Sequence, residues 1–209
     1  MTGPLIAGIL LAAAASLHAV RAGAQPRRFY LLKPLTTALI LGAAALAPAT
    51  PQRIWMLSGL LLSLMGDICL MAPGEGAFLG GLGSFLLAHL AFIVAFSLGL
   101  PMGWPPAWTV LLGVYAAAMV ALLWPRTGAL RIPVLVYSLV LFGMVLAAAR
   151  AQAHGLPGSV WALAGALTFV ASDSLLAANR FLRPHPRAQV AILGTYWAAL
   201  ACLVRCLHG

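Results

Sequence analysis

Long apolar stretches separated by short polar gaps run through the whole chain. A helix needs about 20 apolar residues to cross a bilayer, and eight stretches reach roughly that length. We predict transmembrane helices at about 3–22, 31–49, 53–71, 77–99, 106–124, 130–150, 158–179 and 188–207. The gaps are rich in proline and glycine, and none has room for a soluble domain. The pattern predicts an all-α, polytopic membrane protein with eight transmembrane helices, in which residues 1–209 form a single integral membrane domain.

The composition excludes soluble classes of protein. Of the 209 residues, 63% are apolar and 7% are charged, whereas ordinary globular domains carry about 25% charged residues. So few charges cannot cover the surface of a soluble enzyme, a nucleic-acid-binding protein or a disordered chain. Any chemistry must therefore come from the few polar residues inside the helix bundle or at its mouth.

The basic residues indicate topology and anionic headgroups rather than a nucleic-acid partner, because they cluster in the gaps between apolar stretches. Nine of the twelve lie on one predicted face: Arg21, Arg27, Arg28, Lys33, Arg126, Arg131, Arg180, Arg183 and Arg187. The positive-inside rule places this face in the cytoplasm. The Ala- and Arg-rich composition is typical of a GC-rich bacterial genome. We predict a bacterial inner (plasma) membrane, with the mouth of the site toward the cytoplasm.

Two segments of the chain resemble each other. Residues 58–71 read SGLLLSLMGDICLM and residues 164–177 read AGALTFVASDSLLA. In each, a glycine stands eight residues before an aspartate, Asp67 or Asp173, and a small residue precedes that aspartate. The segments lie four predicted helices apart, so their helices run in the same direction. This favours two parallel four-helix repeats related by an axis along the membrane normal.

Asp67 and Asp173 are the leading candidates for chemistry. The chain has three acidic residues, and an acid near a helix centre costs about 2.5–3.5 kcal/mol on insertion scales. Both aspartates are predicted roughly 5–10 Å inside the span on the cytoplasmic side, at depths from which they could face one cavity. The structural alternative is that each is satisfied by a neighbouring arginine or hydroxyl. Two carboxyls in a low-dielectric pocket favour one protonated and one ionised form, which is the arrangement of an acid–base hydrolase.

Other polar residues near these aspartates are candidates for binding a substrate. Lys33, Asn179 and Arg180 are predicted to rim the mouth and contact a phosphate, although snorkelling anchors would have the same positions. His89 is either a neutral hydrogen-bonded histidine or a residue that orients water or an aspartate. Tyr137 and Tyr196 either bond an aspartate or pack as core aromatics. The candidate substrate-binding residues are Lys33, His89, Tyr137, Ser172, Asn179, Arg180 and Tyr196.

Several common catalytic and metal-binding motifs do not occur. The sequence has no HxxxH, HExxH or CxxC spacing, so we predict no metal site. Convergence of Asp67, His89 and Asp173 on a metal is kept as an alternative. There is also no GxSxG nucleophile elbow, Walker loop or dinucleotide fingerprint.

The chain resembles the YhhN membrane family, which includes the lysoplasmalogenases. The matching stretches are LLKPLTTA around Lys33, LLSLMGDICLM around Asp67, GSFLLAHLAFI around His89, FVASDSLLAANRF from 169 to 181, and TYWAAL from 195. One departure concerns Leu200, because the family pattern is expected to have a glutamine there.

The resemblance implies hydrolysis of the vinyl ether bond of lysoplasmalogens. The products would be a fatty aldehyde and glycerophosphoethanolamine or glycerophosphocholine. Such a bond breaks when a proton reaches carbon and water captures the resulting oxocarbenium ion. Asp67 and Asp173 would be the catalytic pair, one as acid and the other to stabilise the cation or activate water. No metal or organic cofactor is required. The expected partners are a lysophospholipid substrate and membrane lipids, with no nucleic acid and no obligate protein partner.

Two other functions use the same features. A lipid or small-molecule transporter, or a lipid-binding protein, would also have parallel repeats and acids within the membrane. An intramembrane aspartyl protease would also have two aspartates. The protease is disfavoured because such enzymes resemble one another in a GxGD element, and Leu64 stands at its first glycine position.

Overall fold

A computed structural model describes residues 3–21, 26–101, 103–185 and 188–209. In this part of the chain there are eight α-helices and no strands, which confirms the predicted fold class. They are α1 (Gly3–Arg21), α2 (Pro26–Ala45), α3 (Pro51–Met71), α4 (Glu75–Ser97), α5 (Thr109–Leu123), α6 (Arg131–Ala153), α7 (Ser159–Ala177) and α8 (Ala188–Cys206). The main difference in position is α2, which begins and ends several residues before the predicted span and contains Pro34 within it. Arg187 of the predicted basic face lies outside the described residues, and the side chains of Arg21, Arg27 and Arg28 are not described.

The short connections follow from local chemistry at the helix ends. Thr50 caps α3, because its hydroxyl accepts a hydrogen bond from the Arg53 amide at 3.1 Å, and Pro51 occupies the first turn of the helix. Gly158 precedes α7 with a φ of +72° and lies against the main chain of Cys206. A side chain there would meet both a strained backbone angle and the Cys206 carbonyl. The connection can therefore turn tightly beneath the end of α8.

The helices make an integral membrane protein. In the described part of the chain, α3, α4, α6, α7, α8 and the segment Thr109–Arg126, which includes α5, are long and apolar enough to cross a membrane. Further apolar helical stretches, Ile9–His18 and Tyr30–Ala45, lie within the described side chains of the first two helices. Large apolar side chains such as Leu11 and Leu111 are exposed on the outside of the bundle. An apolar exterior of this kind is stable in lipid and would promote aggregation in water.

The packing of the helices is alike in the two halves of the chain. Helix α3 packs most extensively on α4, and α7 packs most extensively on α8. Helix α2 then lies against α3, as α6 lies against α7, and the halves meet where α4 contacts α6 and α2 contacts α8. This is the set of neighbours that a parallel repeat would produce. The repeat itself stays a prediction.

Close approach of the paired helices depends on small residues at equivalent positions. A Cβ on Gly59 of α3 would overlap the Phe92 ring of α4, and a Cβ on Gly165 of α7 would overlap Leu203 of α8. Small residues at helix interfaces allow the van der Waals contact that stabilises helix pairs in membranes. The two glycines that stand before the aspartates therefore bring each aspartate-bearing helix against its partner.

The last turn of α7 changes geometry at the predicted cytoplasmic end of the bundle. A π-helical segment, Ala178–Leu182, follows α7 directly. Phe181 of this segment packs with Phe78 on a small apolar cluster formed by Leu123, Leu130 and Val134. Single-turn π segments occur frequently at functional sites. Here the segment places aromatic and basic residues at one end of the helices that surround Asp173.

Candidate active site

Asp67 lies in a closed polar network between α2, α3 and α8. The residue is 1% exposed, and its Oδ1 is 3.1 Å from the Lys33 ammonium nitrogen. Its Oδ2 accepts hydrogen bonds from the hydroxyls of Thr37 at 2.7 Å and Tyr196 at 2.9 Å. The Thr37 hydroxyl in turn accepts a bond from the Trp197 indole at 3.3 Å. This carboxyl is thus neutralised by a cation and held by two further donors, as a buried ionised group requires.

Lys33 is buried beside Asp67. Besides the ion pair, its ammonium donates a hydrogen bond to the main-chain oxygen of Asp67 at 3.3 Å. Its side chain is 5% exposed, so the ammonium faces the inside of the bundle and not the mouth. This position differs from the phosphate contact at the rim that the sequence predicted for it.

Asp173 has a more open and less polar environment. Its Oδ2 accepts one hydrogen bond, from the Tyr137 hydroxyl at 2.5 Å. No lysine or arginine forms an ion pair with it among the described residues. Its side chain is part of the wall of a groove between α4, α5, α6 and α7. Asp173 is therefore a carboxyl with one neutral partner, next to space that a ligand can occupy.

The groove is apolar along most of its length. It encloses a cavity of about 100 Å³ and continues into space that is open to the surroundings. Its wall includes Phe78, Phe85, Leu112, Met119, Leu123, Val134, Tyr137, Leu141, Val145, Val170, Asp173 and Phe181. From Val134 to Val145 it follows α6 for roughly 16 Å, at about 1.5 Å per residue. The lining and the length along α6 are those of a site for an elongated apolar ligand with a few polar contacts.

The two aspartates do not share this groove in the structure. Asp67 is not among the residues that line it. Tyr196, which bonds Asp67, packs edge-on against Phe85 and Phe169 at centroid distances of 5.7 and 5.6 Å, and Phe85 lines the groove. The sequence predicted that both aspartates could face one cavity. In this groove, Asp173 lines the wall and Asp67 does not.

His89 is in the aromatic core next to Tyr137. The residue is 0% exposed, and its ring packs edge-on against Tyr137 at 5.3 Å and Phe169 at 4.7 Å. Neither ring nitrogen has a hydrogen-bond partner among the described residues. The proposed metal alternative is not supported by this placement. No three His, Cys, Asp or Glu side chains of the described segments form a group that could hold an ion.

The remaining candidates lie at the mouth or in helix contacts. The Arg180 guanidinium is 4.9 Å from the centroid of the Phe78 ring, at the end of the groove. The Asn179 side-chain oxygen accepts a hydrogen bond from the His185 amide at 2.7 Å. The Ser172 hydroxyl donates to the main-chain oxygen of Ile192 at 3.1 Å, which ties α7 to α8. Of these three, Arg180 has its charged group at the groove.

Three polar residues near the aspartates were not predicted. Thr37 lies one helical turn after Lys33 and donates to the same carboxylate, so i and i+4 spacing on α2 was an available signal. Ser174 and Tyr115 line the groove together with Asp173, and the Tyr115 hydroxyl donates to the Ser174 hydroxyl at 2.7 Å. Nothing in the sequence marks Tyr115, because the relation between α5 and α7 depends on tertiary packing.

Comparisons with known proteins identify the family. The model of the YhhN family matches residues 28–207. A Mycobacterium bovis protein named lysoplasmalogenase is 39% identical over 170 residues, which is 78% of this chain and 64% of the relative. The Sus scrofa protein named lysoplasmalogenase TMEM86B is 39% identical over 144 residues, 67% of this chain and 57% of the relative. For the human protein named lysoplasmalogenase TMEM86A the identity is 32% over 161 residues, with 72% and 64% covered.

The matched region is only part of each of these relatives, since the chain spans 64% of the length of the mycobacterial protein and 57% of the porcine one. No solved structure is significantly similar to this chain. The family match nevertheless covers most of the chain, including every candidate site residue from Lys33 to Tyr196. The chain belongs to the YhhN family.

Proposed function

We propose that this protein hydrolyses the vinyl ether bond of lysoplasmalogens, releasing a fatty aldehyde and a glycerophospho-alcohol. The observation that carries the proposal is the Asp173–Tyr137 pair in the wall of a long apolar groove. Relatives at 31–39% identity that are named lysoplasmalogenase support it. The groove suits one hydrocarbon chain, and the carboxyl supplies the acid that a vinyl ether requires.

Asp173 carries both proton transfers in this proposal. Its Oδ2 accepts the Tyr137 hydrogen bond, which leaves Oδ1 to hold the transferable proton. That proton goes to the vinyl carbon distant from the ether oxygen, and the electron pair of the double bond forms the new C–H bond. The adjacent carbon becomes an oxocarbenium centre. The resulting Asp173 carboxylate then takes a proton from a water molecule as its oxygen bonds to that carbon, giving a hemiacetal. The hemiacetal collapses to aldehyde and alcohol. One carboxyl thus acts first as acid and then as base, as in retaining glycosidases.

Tyr137 and Asp67 support this chemistry in different ways. The Tyr137 hydroxyl fixes the orientation of the Asp173 carboxyl and stabilises its charged form after the first step. Asp67 is paired with Lys33 and lies outside the groove wall, so its contacts favour a positioning role. Its network holds α2, α3 and α8 together and fixes the Tyr196 ring, which packs in the aromatic layer with Phe169. The second catalytic carboxylate expected from the sequence stays a prediction for Asp67.

The substrate is placed in the groove with its phosphate toward Arg180. Arg180 is seven residues after Asp173, and the helical rise separates them by about 10 Å. The glycerol backbone between the ether bond and the phosphate is shorter than this, and the long Arg180 side chain can extend over the remaining distance. The hydrocarbon chain then extends toward Leu141 and Val145. Asn179, at the same end, is the second candidate for a headgroup contact. We also propose that this end faces the cytoplasm of a bacterial inner membrane, from the excess of basic residues on that face.

The decisive experiment measures products from two lipids. The purified protein in detergent is incubated with a lysoplasmalogen and, separately, with the matching 1-acyl lysolipid, and aldehyde and fatty acid are quantified by mass spectrometry. We expect aldehyde from the vinyl ether lipid and no fatty acid from the acyl lipid. Fatty acid from the acyl lipid would mean that a different bond is cut. No product from either lipid, with the protein monodisperse, would overturn the proposal.

A lipid transporter or lipid-binding protein is the second candidate. It is favoured by the similar packing of the two halves of the chain, which is a feature of several transporter folds. Reconstitution into liposomes distinguishes the two. A transporter moves the lysolipid across the bilayer and leaves it intact, whereas the hydrolase converts it to aldehyde.

A further inference from the structure

A pair of hydroxyls lies in the groove beside Asp173. The Tyr115 hydroxyl of α5 donates to the Ser174 hydroxyl of α7 at 2.7 Å. Ser174 follows Asp173 directly in the chain, and all three residues are part of the groove wall. In a wall that is mostly apolar, the two hydroxyls are therefore a polar group next to the proposed acid.

Tyr115 reaches this position from a helix that has few other attachments. Helix α5 packs on α6 and touches the π-helical segment that follows α7. Its buried residues are Thr109 and Leu123, at its two ends. Tyr115 is 42% exposed, so the pair stands at the side of the groove. A bond between weakly packed helices at this point is readily opened by a ligand that can take over one of its partners.

We propose that the Tyr115–Ser174 hydroxyl pair recognises the free hydroxyl of a single-chain glycerolipid, on the carbon next to the one that carries the scissile ether. This inference rests on the proposed function and deepens it by naming residues that determine substrate specificity. With the vinyl ether at Asp173, the hydroxyl-bearing carbon lies two bonds from the ether oxygen. The hydroxyl is thus placed near the residue that follows Asp173, which is Ser174.

The chemistry of the pair suits this group. A serine that accepts one hydrogen bond still has a proton to donate, and tyrosine both donates and accepts. A substrate hydroxyl can therefore insert between them without leaving a donor or acceptor unpaired. A lipid with a second acyl chain lacks the hydroxyl proton, and its chain would need the space that the Tyr115 ring occupies. Sites that hydrogen-bond a substrate hydroxyl discriminate strongly against analogues that lack it.

The test compares three vinyl ether lipids: the lysoplasmalogen, its analogue with hydrogen in place of the free hydroxyl, and the corresponding 2-acyl lipid. Each is assayed for aldehyde with the wild type, Tyr115→Phe and Ser174→Ala. Ser58→Ala is the matched control, because Ser58 is on α3 and its hydroxyl bonds within its own helix at 3.0 Å. We expect Tyr115→Phe and Ser174→Ala to lower kcat/KM for the lysoplasmalogen about threefold to tenfold, the effect of one neutral hydrogen bond. Neither variant should change kcat/KM for the deoxy analogue.

A further variant tests whether the Tyr115 ring excludes a second acyl chain. Tyr115→Ala removes the ring, and we expect it to raise the rate on the 2-acyl lipid relative to the lysoplasmalogen. Equal losses on the lysoplasmalogen and its deoxy analogue would show that the pair only joins two helices, and would overturn the inference. Unchanged kcat/KM in both hydroxyl variants would overturn it as well. In either case the wild type would still release aldehyde from the lysoplasmalogen, so failure of the proposed function itself remains distinguishable.

Discussion

Asp67 and Asp173 occupy similar positions in two similar stretches of sequence, yet their surroundings differ in charge and in access to the groove. Asp67 has a lysine cation and two hydroxyl donors and is sealed from the groove. Asp173 has one tyrosine donor and lines the groove. The first is a carboxylate whose charge is compensated within the protein. The second has unused bonding capacity beside space for a ligand.

The difference comes from the helices that face each aspartate. In the first half, α2 presents Lys33 to Asp67, and in the second half α6 presents Tyr137 to Asp173. These two helices hold equivalent positions in the packing, so a cation in one corresponds to a neutral phenol in the other. A repeated aspartate thus allows one copy to stabilise the bundle while the other remains available for reaction.

The largest expected effect comes from neutralising each aspartate in turn, which tests whether Asp67 and Asp173 have different roles. We expect Asp173→Asn to lower kcat about 10²–10⁴-fold, the range for loss of a general acid, with the protein still folded. Asp67→Asn should keep measurable turnover, because its carboxyl does not line the groove. Glu75→Gln, at the start of α4, is the control for loss of an acidic residue. Aldehyde release measures all three. Equal and complete loss in both aspartate variants, with both proteins shown to be folded, would restore the two-carboxylate mechanism.

Substituting Lys33 tests the closed polar network around Asp67. Lys33→Met leaves the Asp67 carboxylate buried without its cation, and breaking one partner of a buried pair costs about 3–5 kcal/mol. We expect a clear drop in the unfolding midpoint in detergent. The double variant Lys33→Met/Asp67→Asn removes both charges and should recover part of that loss. If Lys33→Met alone retains the wild-type midpoint and raises KM for the lipid, Lys33 contacts the phosphate, as the sequence first indicated.

Lys33 also shows what the sequence could and could not establish. Its depth in the membrane follows from the length of an apolar stretch, which is a one-dimensional property of the chain. Its direction depends on how α2 is rotated against α3 and α8, and rotation is set by packing between helices. The eight helices and the membrane setting were therefore predictable, and the ion pair with Asp67 was not.

The same reasoning applies to the groove. Asp173 was identified because acidic groups inside spans are costly and few. Tyr115 and Ser174 were missed because a tyrosine or serine in an apolar helix is common, and their contact joins helices that pack little against each other. The contacts of the Tyr196 ring with Phe85 and Phe169 were also beyond prediction, since they join α4, α7 and α8.

The two tyrosines test the difference between the aspartates, since Tyr137 donates to Asp173 and Tyr196 donates to Asp67. Tyr137→Phe removes the hydrogen bond that Asp173 receives within the described segments, and we expect kcat to fall about threefold to tenfold. Tyr196→Phe leaves Asp67 with Lys33 and Thr37, so we expect activity close to wild type and a loss of about 1 kcal/mol in stability. The pair is a matched substitution, assayed by aldehyde release and by unfolding in detergent. If Tyr196→Phe lowered kcat and Tyr137→Phe lowered only stability, the roles given to Asp67 and Asp173 would be reversed.

The smallest expected effect concerns Arg180, at the mouth of the groove that Asp173 lines. Arg180→Ala removes the cation that stacks on Phe78, and we expect KM for the lysolipid to rise a few-fold with kcat unchanged, because exposed charges contribute about 0.2–1 kcal/mol. Arg126→Ala is the control, since this exposed arginine bonds the Leu122 carbonyl on its own helix segment. The difference between the two variants should shrink at high salt, which screens an exposed contact with phosphate. A fall in kcat at constant KM would instead mean that Arg180 maintains the π-helical segment near Asp173, and that the open site depends on structural support as Asp67 does.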